Sequence, residues 1–143
     1  MKMLINIISA FLSTIGFSVV FQVQRKHVLA SGMLGAVSWG VYLFLTDDLA
    51  FSTVWASFIA TLLVTALSYV LAKLRKTPII VFLVGGIIPL VPGVGLYRTM
   101  YNLLQQDYAT AINYMLLTFE IAGVIAGAIV IISLLPLLWR KTK

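Results

Sequence analysis

The chain has 143 residues, of which 62% are hydrophobic and only 10% charged, whereas a water-soluble domain is nearer to about half apolar and about a quarter charged. A core packed in water does not absorb that excess, so the composition argues against a soluble domain and for one small integral membrane domain covering residues 1–143. The net charge of +6 sits in short clusters between apolar runs (Arg25 and Lys26; Lys73, Arg75 and Lys76; Arg140, Lys141 and Lys143), a pattern of topology-setting loop charges that argues against nucleic-acid binding, while the absence of cysteine removes disulfides and thiolate metal sites.

In chain order, the first expected span is 3–23. It has one preceding lysine and no small-residue cleavage site after it, so it reads as a retained helix and not as a signal peptide. The second span is 29–46. Asp47 and Asp48 lie in the short connection to the third, 51–72. The last is 111–133. Between them, 79–106 is harder to read. Ile79–Leu90 has 12 residues, about 18 Å of helix against a hydrocarbon core of ~30 Å. Adding Val91–Leu104 supplies the missing length, with a break inside it. The expectation is an all-α membrane protein of about five transmembrane helices, one broken.

Charge placement decides whether 79–106 crosses. With Arg25, Lys26 and His27 in the cytoplasm, the Asp47–Asp48 turn is outside and Lys73–Lys76 inside again. One crossing by 79–106 then brings the C-terminal basic residues inside. Eight of the ten basic residues (Arg25, Lys26, Lys73, Arg75, Lys76, Arg140, Lys141, Lys143) are cytoplasmic, with Lys2 and Arg98 outside. The expected topology is N-terminus out and C-terminus in, in the plasma membrane of a bacterium. Trp39, Tyr42, Trp55, Tyr97, Tyr101, Tyr108 and Trp139 fall near span ends, as an aromatic belt would.

Four spans carry a polar or small stripe at helical spacing: Asn6, Ser9, Ser13 and Gly16; Ser31, Gly35, Ser38 and Tyr42; Ser57, Thr61, Thr65 and Ser68; Asn113, Glu120 and Gly127. Such stripes serve close helix packing or line a polar path. Glu120 is the acid inside a span, near the midplane, so it is a candidate for proton coupling or substrate ordering, with a structural hydrogen bond, to Asn113 or to another subunit, as the alternative. Gly123 and Gly127 form a GxxxG pair on the same helix. Arg98, Asn102 and Gln105 share one face of the segment beyond the break and Tyr97, Tyr101, Leu104 and Tyr108 another; the polar face looks toward a cavity or toward water. His27, beside two basic residues, reads as a loop residue. No metal-ligand cluster, Ser/His/Asp arrangement or phosphate loop is visible, so neither an enzyme nor a cofactor is expected.

Residues 85–98, GGIIPLVPGVGLYR, hold two prolines and four glycines. Pro89 and Pro92 each lack an amide hydrogen and clash with the carbonyl four residues back. Gly93 and Gly95 permit backbone angles closed to other residues. In lipid, freed backbone groups need partners in protein or in a wet cavity. Discontinuous helices of this kind bind ions and small anions in transporters; a simple proline kink is the other reading.

The run LAKLRKTPIIVFLVGGIIPLVPGVGLYRTM (71–100), with PLVPG followed by a glycine and Tyr97, and GAVSWGVY (35–42) resemble the threonine/serine exporter family, in its C-terminal five-helix half, which also occurs as a separate small subunit. The resemblance covers essentially the whole chain. It implies secondary transport driven by the proton motive force, with threonine, serine or a related small carboxylate as substrate, and a larger membrane subunit as partner. Glu120 matches no motif of that family. The alternative from another class is a membrane scaffold that stabilises a larger partner without transporting; a homo-oligomeric channel is a third reading.

Overall fold

The computed structural model describes residues 2–140, with side chains described as far as Leu134. Trp139 and the basic residues Arg140, Lys141 and Lys143, used above for belt and topology, lie outside the described side chains. The described residues form six α-helices: α1 (Lys2–Val20), α2 (Arg25–Leu43), α3 (Thr53–Arg75), α4 (Ile80–Ile87), α5 (Gly93–Leu104) and α6 (Tyr108–Arg140). A π-helical turn, Phe44–Asp48, prolongs α2, and a 3-10 turn, Ile88–Leu90, prolongs α4. Four helices are long and apolar enough to cross a membrane, and α4 with α5 makes a fifth crossing if the bent pair is one span.

The bend between α4 and α5 is 48°, far from the reversal of a hairpin. The 8 residues of α4, 3 of the 3-10 turn and 12 of α5 give about 18 Å before the bend and about 12 Å of further advance after it, in total about the ~30 Å of a hydrocarbon core. The helix stops where two prolines remove donors: no backbone amide is available at 89 or 92, Val91 is extended with ψ 128°, and α5 restarts at Gly93.

Elsewhere the helix ends are set by left-handed residues that are not glycine: Gln22, Ala50, Lys76 and Gln106 all have φ between 48° and 62°. Ser52 Oγ accepts the Trp55 amide at the start of α3, and Asp107 Oδ1 accepts the Thr110 amide at the start of α6. Hydrogen bonding from the Thr110 side chain, then from its amide, holds the Asp107 carboxyl below its ordinary value, so this cap is intact at neutral pH and is lost only on strong acidification.

α2 is the centre of the bundle, packed against α1, α3 and α4, while α6 packs on α3 and α5. Lipid provides no hydrophobic drive between helices, so the contacts depend on close fit and on hydroxyls that cross the interfaces. Leu34, Val64, Ala72 and Phe82 form one buried cluster; Ala60, Leu90, Ile121 and Ile125 form another around the break. Ser31 Oγ donates to the Val81 carbonyl at 2.9 Å and Ser38 Oγ to the Gly86 carbonyl at 2.6 Å, tying α2 to α4. Thr61 and Ser68 instead donate to carbonyls four residues back on α3.

Two stripes, on α2 and α3, therefore face inward: Ser31, Gly35, Ser38, Ser57, Thr61, Thr65 and Ser68 are all buried. The other two do not. Asn6, Ser9, Ser13 and Gly16 are exposed, and α1 packs instead through Ala10, Thr14 and Ser18. Asn113 and Glu120 are exposed and Gly127 half-buried on α6, whose packed face runs through Ala111, Thr118, Ile121, Ile125 and Ala128. Periodicity identifies which residues share a face; what lies opposite that face is decided by the neighbouring helices.

Close approach explains two of the inward glycines. A methyl at Gly35 would meet the Thr14 side chain, and one at Gly85 would meet the Ser31 hydroxyl. Gly85→Ala is thus expected to lower stability by about 1–3 kcal/mol through overpacking. Gly127→Ala meets nothing within 4 Å and should leave the isolated chain unchanged or slightly more stable, because alanine favours helix by about 1 kcal/mol. Thermal unfolding of the two purified variants in one detergent checks the contrast.

Candidate functional site

The break opens one wall of a cavity of about 400 Å³. Pro89–Gly95 supplies that wall. Trp39 and Tyr42 enter from the end of α2, Thr53 and Ser57 from the start of α3, Tyr114, Thr118 and Ile121 from α6, and Arg98 from α5. Each element arrives for a local reason. The two prolines end α4, the Ser52 cap starts α3 beside the break, and Gly95 lets α5 approach α6 so closely that a methyl there would strike Thr118 Oγ1.

The electrostatics are positive. No side chain caps the N-terminus of α5. The Gly93 amide turns to the Val91 carbonyl at 2.7 Å, and the Leu96 amide takes up the Pro92 carbonyl. The intervening amides of Val94 and Gly95 are the orphan donors of a first helical turn, where the helix dipole concentrates about half a positive charge. Arg98 stands one turn further on. Its Nη1 donates to Tyr114 Oη at 3.1 Å, and its guanidinium lies 5.3 Å from the centroid of the same ring. The phenol thereby fixes the cation across the cavity from α5 to α6. Among the described residues, no aspartate or glutamate lines this cavity. Trp39 and Tyr42 stack on each other at 4.8 Å and both line it. Thr118 and Ser57 add hydroxyls; that of Thr118 donates to the Tyr114 carbonyl and retains its acceptor capacity. A small carboxylate suits this set of donors, with the rest of the molecule against aromatic rings and hydroxyls.

Of the residues singled out in the sequence, Pro89, Pro92, Gly93, Gly95 and Arg98 converge here. Tyr97 does not; it is exposed and stacks on Tyr101 at 6.1 Å. Asn102 donates to the Arg98 carbonyl at 2.7 Å, so it braces α5 and does not line the cavity. Glu120 and Asn113 lie on the exposed face of α6, away from it. Trp39 and Tyr42, expected in an aromatic belt, are half-buried cavity walls. Tyr114, Thr118 and Ser57 join through tertiary contact; the only advance signal was the hydroxyl stripe on α3.

His27 also differs from expectation. It belongs to the first turn of α2, is 2% exposed, meets Phe82 edge-on at 5.3 Å, and has Nε2 3.2 Å from Thr77 Oγ1.

A multi-helix membrane protein with a bent, proline-broken helix pair beside an arginine-lined cavity shares features with transporters. The family model described as Threonine/Serine exporter, ThrE, matches residues 6–135, and the chain belongs to that family. No solved structure matches the chain.

Proposed function

We propose that the chain is the small membrane subunit of a two-subunit exporter in a bacterial plasma membrane, which moves threonine, serine or a related small carboxylate outward on the proton motive force. The observation that carries this reading is the cavity at the break, where the α5 N-terminus and Arg98 meet with no acid nearby. The carboxylate is the group recognised there. An amino-acid ammonium group would rest against Trp39 and Tyr42, whose ring faces attract cations. The charge pattern and the reach of the bent pair support five crossings with Arg98 on the outer half. A reporter fused at Lys143 is expected to read cytoplasm; an external reading would contradict five crossings.

The larger subunit is supported by the two outward stripes. A carboxylate on the lipid side of a helix near the midplane costs on the order of 3 kcal/mol on insertion scales. Glu120 is exposed there, with Gly123 and Gly127 open beside it; a partner helix would satisfy the acid and fill the groove. Glu120→Gln and Gly127→Leu are expected to reduce co-purification of the larger subunit several-fold while leaving the isolated chain's unfolding midpoint unchanged. Equal recovery of the complex would remove Glu120 from the interface and return it to the role of a coupling group, for which a lost pH dependence of export is the readout.

The scaffold reading draws on the same outward faces, and on the inward seams, whose hydroxyls mostly bond within the bundle. Variants in the cavity separate the two. A transporting subunit loses export with partner abundance unchanged; a scaffold retains export.

A further inference from the structure

A second cavity, of about 470 Å³, lies at the opposite, basic end of the bundle, between the α1–α2 turn and the start of α4. It is lined by Ser18, Gln22, Gln24, His27 and Thr77 together with an apolar wall from α4. Two side-chain atoms in this wall are buried without a hydrogen-bond partner: Ser18 Oγ and His27 Nδ1. Both residues are only 2% exposed. An unpaired buried polar atom costs about 1–3 kcal/mol, so two bordering one cavity call for a ligand that satisfies them.

The chemistry of that ligand follows from the surroundings. Thr77 Oγ1 lies at hydrogen-bond distance from His27 Nε2. With the hydroxyl donating, the ring proton sits on Nδ1, which becomes a donor in the same cavity lining as the Ser18 hydroxyl. Two cations, Lys26 at the start of α2 and Arg75 at the end of α3, lie close enough to His27 to act on its charge. Among the described residues, none of the four acids, Asp47, Asp48, Asp107 and Glu120, lines it. Two neutral donors, with Lys26 and Arg75 near the histidine, fit a small carboxylate. Ile88 lines this cavity and Pro89 the other, so the two cavities adjoin the same broken segment.

We infer that the Ser18–His27 cavity is an inner loading site, which takes the carboxylate of the transported solute before the broken segment passes it to the Arg98 cavity. The identity of the ligand rests on the transport reading given above; the existence of a carboxylate site does not. His27 is the sole histidine of the chain, so its imidazole nitrogens give a private NMR signal. The full-length chain, labelled with 15N-histidine, is placed in phosphatidylcholine nanodiscs and titrated with threonine, succinate, acetate and ethanolamine. Nδ1 should shift saturably with the carboxylates and not with ethanolamine, and Ser18→Ala should weaken that binding about five-fold. Arg98→Gln should leave this titration unaltered. No shift with any carboxylate, or an equal shift with ethanolamine, overturns the inference. So does a shift that requires phosphatidylglycerol in the disc and ignores the soluble acids, which makes the cavity a headgroup site. A silent His27 in a chain that still supports export removes the inner site alone; a responsive His27 without export removes the transport reading and keeps the site.

Discussion

Replacing Pro92 and Gly93 together with alanine is expected to reduce export at least ten-fold while leaving insertion and abundance unchanged. Proline costs about 3 kcal/mol and glycine about 1 kcal/mol relative to alanine inside a helix. Both penalties now act as a stop between the 3-10 turn and α5. Their removal favours continuous helix through Val91–Val94, which would return the Val94 and Gly95 amides to intrahelical bonds and withdraw the donors from the cavity. The added methyl at Gly93 meets nothing within 4 Å, so a loss of export would come from the backbone and not from crowding. Radiolabelled efflux from cells, with the variant quantified by immunoblot, checks the result. Normal efflux would reduce the break to a kink.

Arg98→Gln should raise the apparent KM for export about ten-fold or more with a smaller change in maximal rate. A hydrogen bond to a charged group is worth about 1.5–3 kcal/mol, and each 1.4 kcal/mol is a factor of ten. Glutamine can still reach toward Tyr114, so packing between α5 and α6 is largely kept, while the cation is lost. Arg98→Lys tests the planar fork: lysine restores the charge but not the guanidinium stacked 5.3 Å from the Tyr114 ring, and it should recover only part of the affinity. An unchanged KM in both variants would take Arg98 out of the site.

How far the sequence carries toward this picture depends on which physics decides each feature. The break was legible because proline and glycine act locally: residues 88–93 behave as their side chains require, whatever packs around them. The inward stripes on α2 and α3 were legible as faces. Their partners, carbonyls of α4 and their own helix, were not, since no pattern within one helix names what it will meet. The stripes on α1 and α6 had the same spacing and look outward, because in lipid a polar face is not forced toward a core and its direction follows from the other helices. His27 was misread as a loop residue because Arg25 and Lys26 beside it suggested a solvated turn; helix α2 starts two residues earlier and turns the ring inward, onto Phe82. Helix ends at Gln22, Ala50, Lys76 and Gln106 carry none of the glycines that usually mark a left-handed stop. Arg98 lines the cavity at the break, whereas Tyr114 and Thr118, which line it too, sit 16 and 20 residues further along the chain on α6, at no spacing that links them to it in advance.

The central claim is that the cavity at the break holds the solute. The chain contains no cysteine, so a single thiol introduced at Ser57, on the cavity wall opposite the break, is a private reporter. The Ser57→Cys variant is labelled with a small, membrane-permeant methanethiosulfonate reagent in vesicles, with and without saturating threonine, serine or succinate. The account predicts that the solute exported by the same cells slows labelling several-fold, and that Arg98→Gln in the same background abolishes this protection. Labelling at one rate in the presence and absence of all three solutes would contradict it.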